Sequence, residues 1–388
     1  MRLQAGVYID DTTTGYRLNQ SFPAYYTIWK DTNVAPTMYR AESNVAGVDD
    51  LSSTTGSTLF QAVIDALEAL SGGAGARYCA KAHIRAGDYT LATELELNTQ
   101  YSGIIFEGEG LGTTLNFSGN GACFKLTNDT ERNVFRDMQI ILTDLADYGF
   151  ELDGVHKNHF DNIKVYGTSN TDTRTGFYIY DESHWNHIQN CYVQQIEECV
   201  EFAKIGGGYP HFNTITHSQL RDCSYGVKIQ GQNVGVSHTA IEQFAQNGIR
   251  IVEDTGSFAE FRNVYVESTV GGETGLHIEA NVGGITWEAG LPICTTPIVD
   301  NGIGANRFIG YGWQNGGYVT KADGETFAHA LWGTPTMIQF TMLDAADRYI
   351  VWVGARDATD ITVKLWDDVA GALEAVAKTI YWYAEYQP

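Results

Sequence analysis

The sequence predicts an all-β solenoid, a parallel β-helix, and three observations carry that prediction. Seven stretches overlay on one short template, an optional Asn followed by x-apolar-x-polar-x-x-apolar, starting near Val134, His159, His187, Thr214, Gly235, Glu260 and, more loosely, Asn306. Their apolar anchors Phe135, Phe160, Ile188, Ile215, Val236, Phe261 and Phe308 are spaced by 25, 28, 27, 21, 25 and 47 residues. A period in the twenties marks stacked coils. Each unit also holds an offset, mostly Gly-led strand of alternating apolar and polar residues: Gly149–Leu152, Gly176–Ile179, Cys199–Phe202, Gly226–Ile229, Gly248–Ile251 and Gly275–Ile278, with an earlier copy at Ala122–Leu126. Alternation buries one face of a strand. No unit has a helix-length 3.6-residue pattern, so a coil of two or three short strands per turn remains.

Along the chain, residues 1–56 are turn-rich and polar, with aromatic islands at Tyr25-Tyr26 and Trp29, and are expected to form an arm or cap. Residues 58–70 are the one clear amphipathic helix: Leu59, Phe60, Val63, Ile64, Leu67 and Leu70 share a stripe, and Ser71-Gly72-Gly73-Ala74-Gly75 ends it. Such a helix would cap the open end of the coil, where strand edges are otherwise exposed. The coil is expected over 57–332, with an inserted loop at 280–305 marked by Gly283-Gly284 and by Pro292 to Pro297. Over 333–388 the strands lengthen, as in Tyr349–Val353 and Asp360–Leu365, which predicts a small antiparallel β-sandwich. Its last strand, Ile380 to Glu385, is aromatic on both faces, as expected of a strand covered on both sides at a subunit interface.

After the helix and its glycine break come Ala86-Gly87-Asp88-Tyr89-Thr90-Leu91, Leu95-Glu96-Leu97 and Ile105-Phe106-Glu107-Gly108-Glu109-Gly110-Leu111-Gly112-Thr113-Thr114-Leu115. This order resembles the opening of pectate-lyase-like right-handed parallel β-helix proteins, a family that includes viral tailspikes and surface glycosidases. Tyr26-Thr27-Ile28-Trp29-Lys30-Asp31 also resembles a lead-in to such coils, so the resemblance spans roughly residues 25–320. It implies the fold and a right-handed coil. It leaves the chemistry open, because the fold carries lyases, hydrolases, epimerases and adhesins. The closing strand resembles the end of C-terminal modules on viral β-helix proteins, and this implies a homotrimer.

Composition narrows the partners. The net charge is −23, which argues against nucleic acid and against an anionic membrane surface. The 22 Tyr, 17 Phe and 8 Trp exceed what a core needs, and aromatics suit carbohydrate platforms and interfaces. The six cysteines, Cys79, Cys123, Cys191, Cys199, Cys223 and Cys294, lack metal-type spacing, and Cys123, Cys191 and Cys199 are expected as buried free thiols. Met1 to Gln4 lead into polar sequence, so no signal peptide and no membrane insertion are expected.

Two columns could carry chemistry. The polar position of the template reads Asp137, Asn162, Asn190, His217, His238 and Asn263, and is expected to be a scaffold ladder that satisfies backbone groups at a tight bend. The outward column of the Gly-led strand reads Lys125, Glu151, Tyr178, Glu201, Lys228, Arg250 and His277. Parallel rungs lie roughly 4.8 Å apart, which places Glu151 and Glu201 about 9.6 Å apart with Tyr178 between them. That is the upper edge of the roughly 6.5–9.5 Å used by inverting glycosidases.

The expected catalytic residues are therefore Glu151 and Glu201, with Asp153 beside them. Tyr178, Tyr180, Asp181, Trp185, Lys228, Arg250 and His211 are the expected substrate contacts. The expected function is a tailspike-like, polysaccharide-processing glycoside hydrolase, either virion-associated or extracellular, that needs no metal or cofactor. Two alternatives remain open. One is a polysaccharide lyase that uses Lys228, Arg250, Tyr178 or His277. The other is a non-catalytic glycan-binding adhesin. Glu197-Glu198 is expected to be a solvated loop. His159 and His187, one rung apart, are expected to stack at the surface without a third ligand. Asn170-Thr171-Asp172 echoes a motif of polygalacturonase-type hydrolases but is separated from Gly176 by Thr173-Arg174-Thr175, and is expected to be loop.

Overall fold

The computed structural model describes residues 25–44, 48–71, 80–100, 103–143, 145–169, 173–252, 258–302, 306–309, 314–329, 331, 334–342, 349–367, 372–373 and 378–386. Cys79, the glycine break after the helix and Asn170-Thr171-Asp172 lie outside these residues, as do residues 1–24 and 45–47 of the leading arm.

The chain winds as a parallel β-helix with three strands per coil. The first sheet stacks the apolar anchors directly: Phe106 on Phe135, then Phe160, Ile188, Ile215, Val236, Phe261, Trp287 and Phe308. The second sheet continues from it, with Leu115, Ile140, Val165, Val193, Leu220, Ile241 and Val266 in register. The third sheet contains the Gly-led strands, from Leu95–Leu97 to Thr296–Asp300. All three turn apolar side chains inward. Phe135 stacks on Phe160 with ring centroids 5.4 Å apart, Phe150 stacks on Phe177 at 5.1 Å, and the two columns interlock edge-to-face. The core is apolar, with most anchors fully buried.

The stretch 280–305 corrects the expectation of an inserted loop. Thr286–Glu288 pairs with the first sheet through Phe261 and Trp287, and Thr296–Asp300 pairs with the third sheet. The 47-residue step is thus two coils, of 26 and 21 residues, with Trp287 fully buried between them. Within the stretch expected as an arm or cap, Tyr25–Asp31 pairs in parallel with Ala80–Ile84 as the leading strand of the first sheet.

The helix spans Gly56–Ser71 and buries Leu59, Phe60, Val63, Ile64 and Leu67. Its side chains also act as an extra strand on the first coil. Ser57 Oγ accepts from the Ala92 and Thr93 N–H groups at 2.7 and 3.1 Å. Gln61 both accepts from Glu96 N–H at 2.9 Å and donates to its carbonyl at 3.0 Å. Glu68 Oε1 accepts from the Asn98 and Thr99 N–H groups at 3.0 Å each. The strand edge is thereby closed.

The polar template position behaves differently from the expected backbone ladder. Asp137, Asn162, Asn190, His217, His238 and Asn263 all have φ between 49° and 59°. Asp, Asn and His are the residues that best tolerate this left-handed region. Their side chains bond mainly to one another on the outside: Asn162 donates to Asp137 at 2.7 Å, and His217 stacks on His238 at 4.9 Å. The backbone is satisfied elsewhere, at the bend from the third sheet to the first, by the buried asparagines Asn133, Asn158, Asn186 and Asn213. Each of the first three donates its side-chain amide and its backbone N–H to the next Oδ1, at 2.9–3.0 Å.

The C-terminal antiparallel pairing begins at Gln314, earlier than the residue-333 boundary, since Gln314–Lys321 pairs with Lys378–Glu385. Two small sheets share a core of Phe327, Ile361, Val363, Leu365, Ile380 and Trp382. The closing strand buries Ile380, Trp382 and Ala384, whereas Tyr381 on the other face is 40% exposed. The cysteines Cys123, Cys191, Cys199 and Cys223 are buried free thiols, and Cys294 is a half-buried one.

Candidate functional site

The third sheet presents the outward column in register. Lys125, Glu151, Tyr178, Glu201, Lys228, Arg250 and His277 pair as direct neighbours. The chain folds this way locally because each strand enters at a tight inside corner. A Cβ on Gly149 would lie 2.6 Å from the Gly176 carbonyl oxygen, so only glycine lets the rungs close there.

Glu151 is nearly buried and has one hydrogen-bond donor and one ion-pair partner. Tyr180 Oη donates to Glu151 Oε1 at 2.8 Å, and the Lys125 ammonium lies 3.6 Å from the same oxygen. Asp153 sits beside Tyr180 in register. Tyr148, Tyr178 and Tyr180 form a continuous aromatic surface: Tyr148 and Tyr178 stack at 4.8 Å and 10°, and Tyr178 meets Tyr180 at 4.9 Å. Burial raises all three phenols, with nearby carboxylates adding to the effect, and Tyr178 is pushed up to about 12.

Glu201 is held by Lys228 Nζ at 2.8 Å, and the same ammonium donates to Glu198 Oε1 at 2.9 Å. Burial, and then Glu198 as a like-charged neighbour, raise the Glu201 carboxyl from 4.5 to about 7, while Lys228 pulls in the opposite direction. Lys228 itself is raised because both carboxylates oppose and outweigh the effect of its burial. Arg250 is paired with Glu279 at 2.6 Å and lies over the Tyr225 ring at 5.7 Å.

Glu198 corrects the expectation of a solvated loop. It lies within the strand Tyr192–Ala203, 9% exposed, and is in register with Thr175 and Tyr225. The residue before each strand-leading position also faces outward, giving a second column of Tyr148, Thr175, Glu198, Tyr225, Asn247 and Thr274. Its signal was available in the sequence. Extending the Gly-led template by one residue, and accepting Cys199 in the glycine position, aligns these side chains.

Trp185 and His211 are not in the carboxylate column. They lie on the bend from the third sheet to the first, where Trp185 is exposed and stacks on Phe212 at 5.8 Å. His211 meets His184, tilted, at 4.7 Å, and His184 stacks in turn on His156 at 4.9 Å. Asp181 occupies a left-handed turn just past Tyr180, with φ 54°. His159 and His187 are tilted at 6.0 Å, and His187 bonds Thr214 at 2.7 Å. Among the described residues no group of three or more His, Cys, Asp or Glu is placed to hold a metal ion.

A raised carboxyl, a second carboxyl two rungs away and tyrosine faces between them can move protons across a bound chain molecule. No protein-family model and no curated protein matches the chain. Among solved structures it is similar to ORF18 of Geobacillus virus E2, at 13% identity over 81% of this chain and 75% of that one, with a TM-score of 0.40. It is similar to an Acinetobacter phage tailspike protein at 10% identity over 86% and 84%, with a TM-score of 0.41. It is also similar to the pectate lyase Pel9A at 12% identity over 62% and 73%, with a TM-score of 0.42. With identities this low, the fold rests on the strand register itself.

Proposed function

We propose that the third-sheet face processes a polysaccharide by hydrolysis, with Glu201 as general acid and Glu151 as general base. The observation that carries this proposal is the in-register column of Glu151, Tyr178 and Glu201, in which burial and the neighbouring Glu198 raise the Glu201 carboxyl. Glu201 would protonate the glycosidic oxygen as the bond to the anomeric carbon breaks. Glu151 would take a proton from the water that attacks that carbon. Two rungs, about 9.6 Å, leave room for the water. Tyr178 and Tyr180 would stack on sugar faces, Asp153 would help hold Tyr180, and Lys228 and Arg250 would border the subsite. Asp181 would line its end.

Elimination is less well supported on this face. Tyr178 and Lys228 are both shifted upward, away from the range of a base at neutral pH, and Arg250 is engaged by Glu279. A coil presenting one long side face to a glycan suits an extracellular or virion-borne protein. The exposed Met337, Trp352 and Tyr381 of the C-terminal sheets are in keeping with contacts in a homotrimer.

The test is incubation with a polysaccharide panel, reading reducing ends and the absorbance of unsaturated uronates. Glu201→Gln and Glu151→Gln should each lower product release by about 100-fold or more with folding intact. Unsaturated product would mean a lyase, binding without product an adhesin, and full activity in both variants would remove this site assignment.

A further inference from the structure

We propose that the bend between the third and first sheets carries a glycan-binding cleft between Phe212 and Phe258. It lies off the carboxylate column and does not rest on the acid/base proposal. Arg132, Lys157, Trp185, Phe212 and Asn233 occupy this bend on successive rungs, each with φ between 53° and 64°. Backbone bonds from Trp185 to His211, from Phe212 to Gln232 and from Val234 to Phe258 keep the rungs in step and bring Phe258 in after Asn233.

A bulky side chain at positive φ is a genuine outlier. Such strain persists where the surroundings impose it, often at a working surface. Burial does not offset it here: Trp185 and Phe212 are 46% and 48% exposed, and Phe258 on the same bend is 43% exposed. The outer bend between the first and second sheets fills its left-handed positions with Asp, Asn and His instead.

Two of the rings stack. Trp185 and Phe212 are parallel within 11° at 5.8 Å, and Lys157 Nζ lies 5.7 Å from the Trp185 ring. Asn233 then stands where a third ring would continue the row, and Phe258 follows on the next rung. Phe258 leans away from Phe212 onto the rung beyond, where a Cβ on Gly284 would come 2.4 Å from its Cδ1, so a glycine is required beneath it. The short Asn233 side chain between the two rings leaves an open cleft that Phe212, Asn233 and Phe258 all line.

The resulting cleft holds about 410 Å³. That is the scale of a small-ligand pocket, roughly 300–1,000 Å³, whereas a stable protein partner buries about 1,200–2,000 Å². Its apolar walls suit the C–H faces of a pyranose. Asn233, Thr214 and Thr286 on its lining offer amide and hydroxyl partners for sugar hydroxyls. Glu260 also lines it, held by Arg262 at 2.6 Å, in a chain of net charge −23. These charges select a neutral sugar over a polyanion.

The experiment is calorimetric titration of the full chain with hexasaccharides of glucose, mannose and N-acetylglucosamine, and with a galacturonate hexamer as the charged probe. At least one neutral probe should bind. Phe212→Ala and Phe258→Ala should weaken that binding roughly tenfold. Asn233→Phe, which fills the gap, should abolish it with an unchanged melting profile. Gly284→Ala, which displaces Phe258, should weaken it as well. Val270→Ala, at an exposed position outside the cleft, should bind as the wild type does. The proposal is overturned if no neutral probe binds, if the galacturonate hexamer binds better, or if Asn233→Phe and Phe212→Ala keep full affinity. It is also overturned if sedimentation shows that Phe258→Ala breaks up an oligomer, because the rings would then pack against a second copy of the chain.

Discussion

Tyr180 Oη donates a 2.8 Å hydrogen bond to Glu151 Oε1 from the adjacent rung, so one phenol both stacks in the tyrosine surface and aims the carboxylate. Tyr180→Phe keeps the ring and removes only the donor. A hydrogen bond to a charged group contributes about 1.5–3 kcal/mol, so kcat should fall roughly ten- to a hundredfold while KM changes little. Steady-state kinetics on the best polysaccharide checks this. A change confined to KM would make Tyr180 a substrate contact alone.

Glu201 links this face to pH. Its carboxyl is raised from 4.5 to about 7 in the folded chain, so the folded state holds more protons than the unfolded state between those values. Stability contributed by this group is therefore present at low pH and is lost as pH rises from about 4.5 to about 7, levelling above. Glu201→Gln removes the titration. The variant should gain stability relative to wild type at pH 8 compared with pH 5, read from urea midpoints at the two pH values. Parallel wild-type and variant curves would show that Glu201 is not the group responsible.

Much of the coil was legible because its physics repeats. Phe135, Phe160 and Ile188 had to face inward on every rung, so their spacing showed in the sequence, and the register of the column from Lys125 to His277 followed from alternation alone. Trp287 escaped because its coil has Gly283-Gly284 before it and no polar bend residue in the template position. Local composition looked like a loop, and only pairing with Phe261 reveals the strand. The buried Asn133–Asn213 ladder was hidden because its asparagine was treated as an optional prefix. At the site, Glu198 was masked by Cys199 standing where other rungs have glycine. The Lys228 bridge between Glu198 and Glu201 depends on side-chain reach across rungs, which periodicity does not encode.

The helix closes the first coil through three polar side chains, and Glu68 is the most exacting of them. It is 7% exposed and accepts two backbone N–H groups, while burial raises its carboxyl above the usual range. Glu68→Ala should cost about 1–3 kcal/mol for each orphaned N–H, and amide exchange at Asn98 and Thr99 should speed up. Glu68→Gln, which keeps an acceptor without the charge, should recover most of the loss. Equal destabilisation by both variants would mean that charge, and not acceptance, is what the cap needs.

The two asparagine-rich bends predict opposite sensitivities. Asn158 is fully buried: its Oδ1 accepts from the backbone N–H and the amide of Asn133 at 3.0 Å each, and its own amide donates to Asn186 at 3.0 Å. Asn158→Ala removes the buried Oδ1 that accepts the Asn133 N–H and amide together with the amide that bonds Asn186, and should cost about 1–3 kcal/mol or more. Asn162 lies on the outer bend with φ 53°, exposed, and donates to Asp137. Asn162→Gly keeps the left-handed backbone accessible and should stay within about 0.5 kcal/mol of wild type. Urea midpoints at fixed m-value compare the two directly. A loss at Asn162 as large as that at Asn158 would place the structural ladder on the outer bend after all.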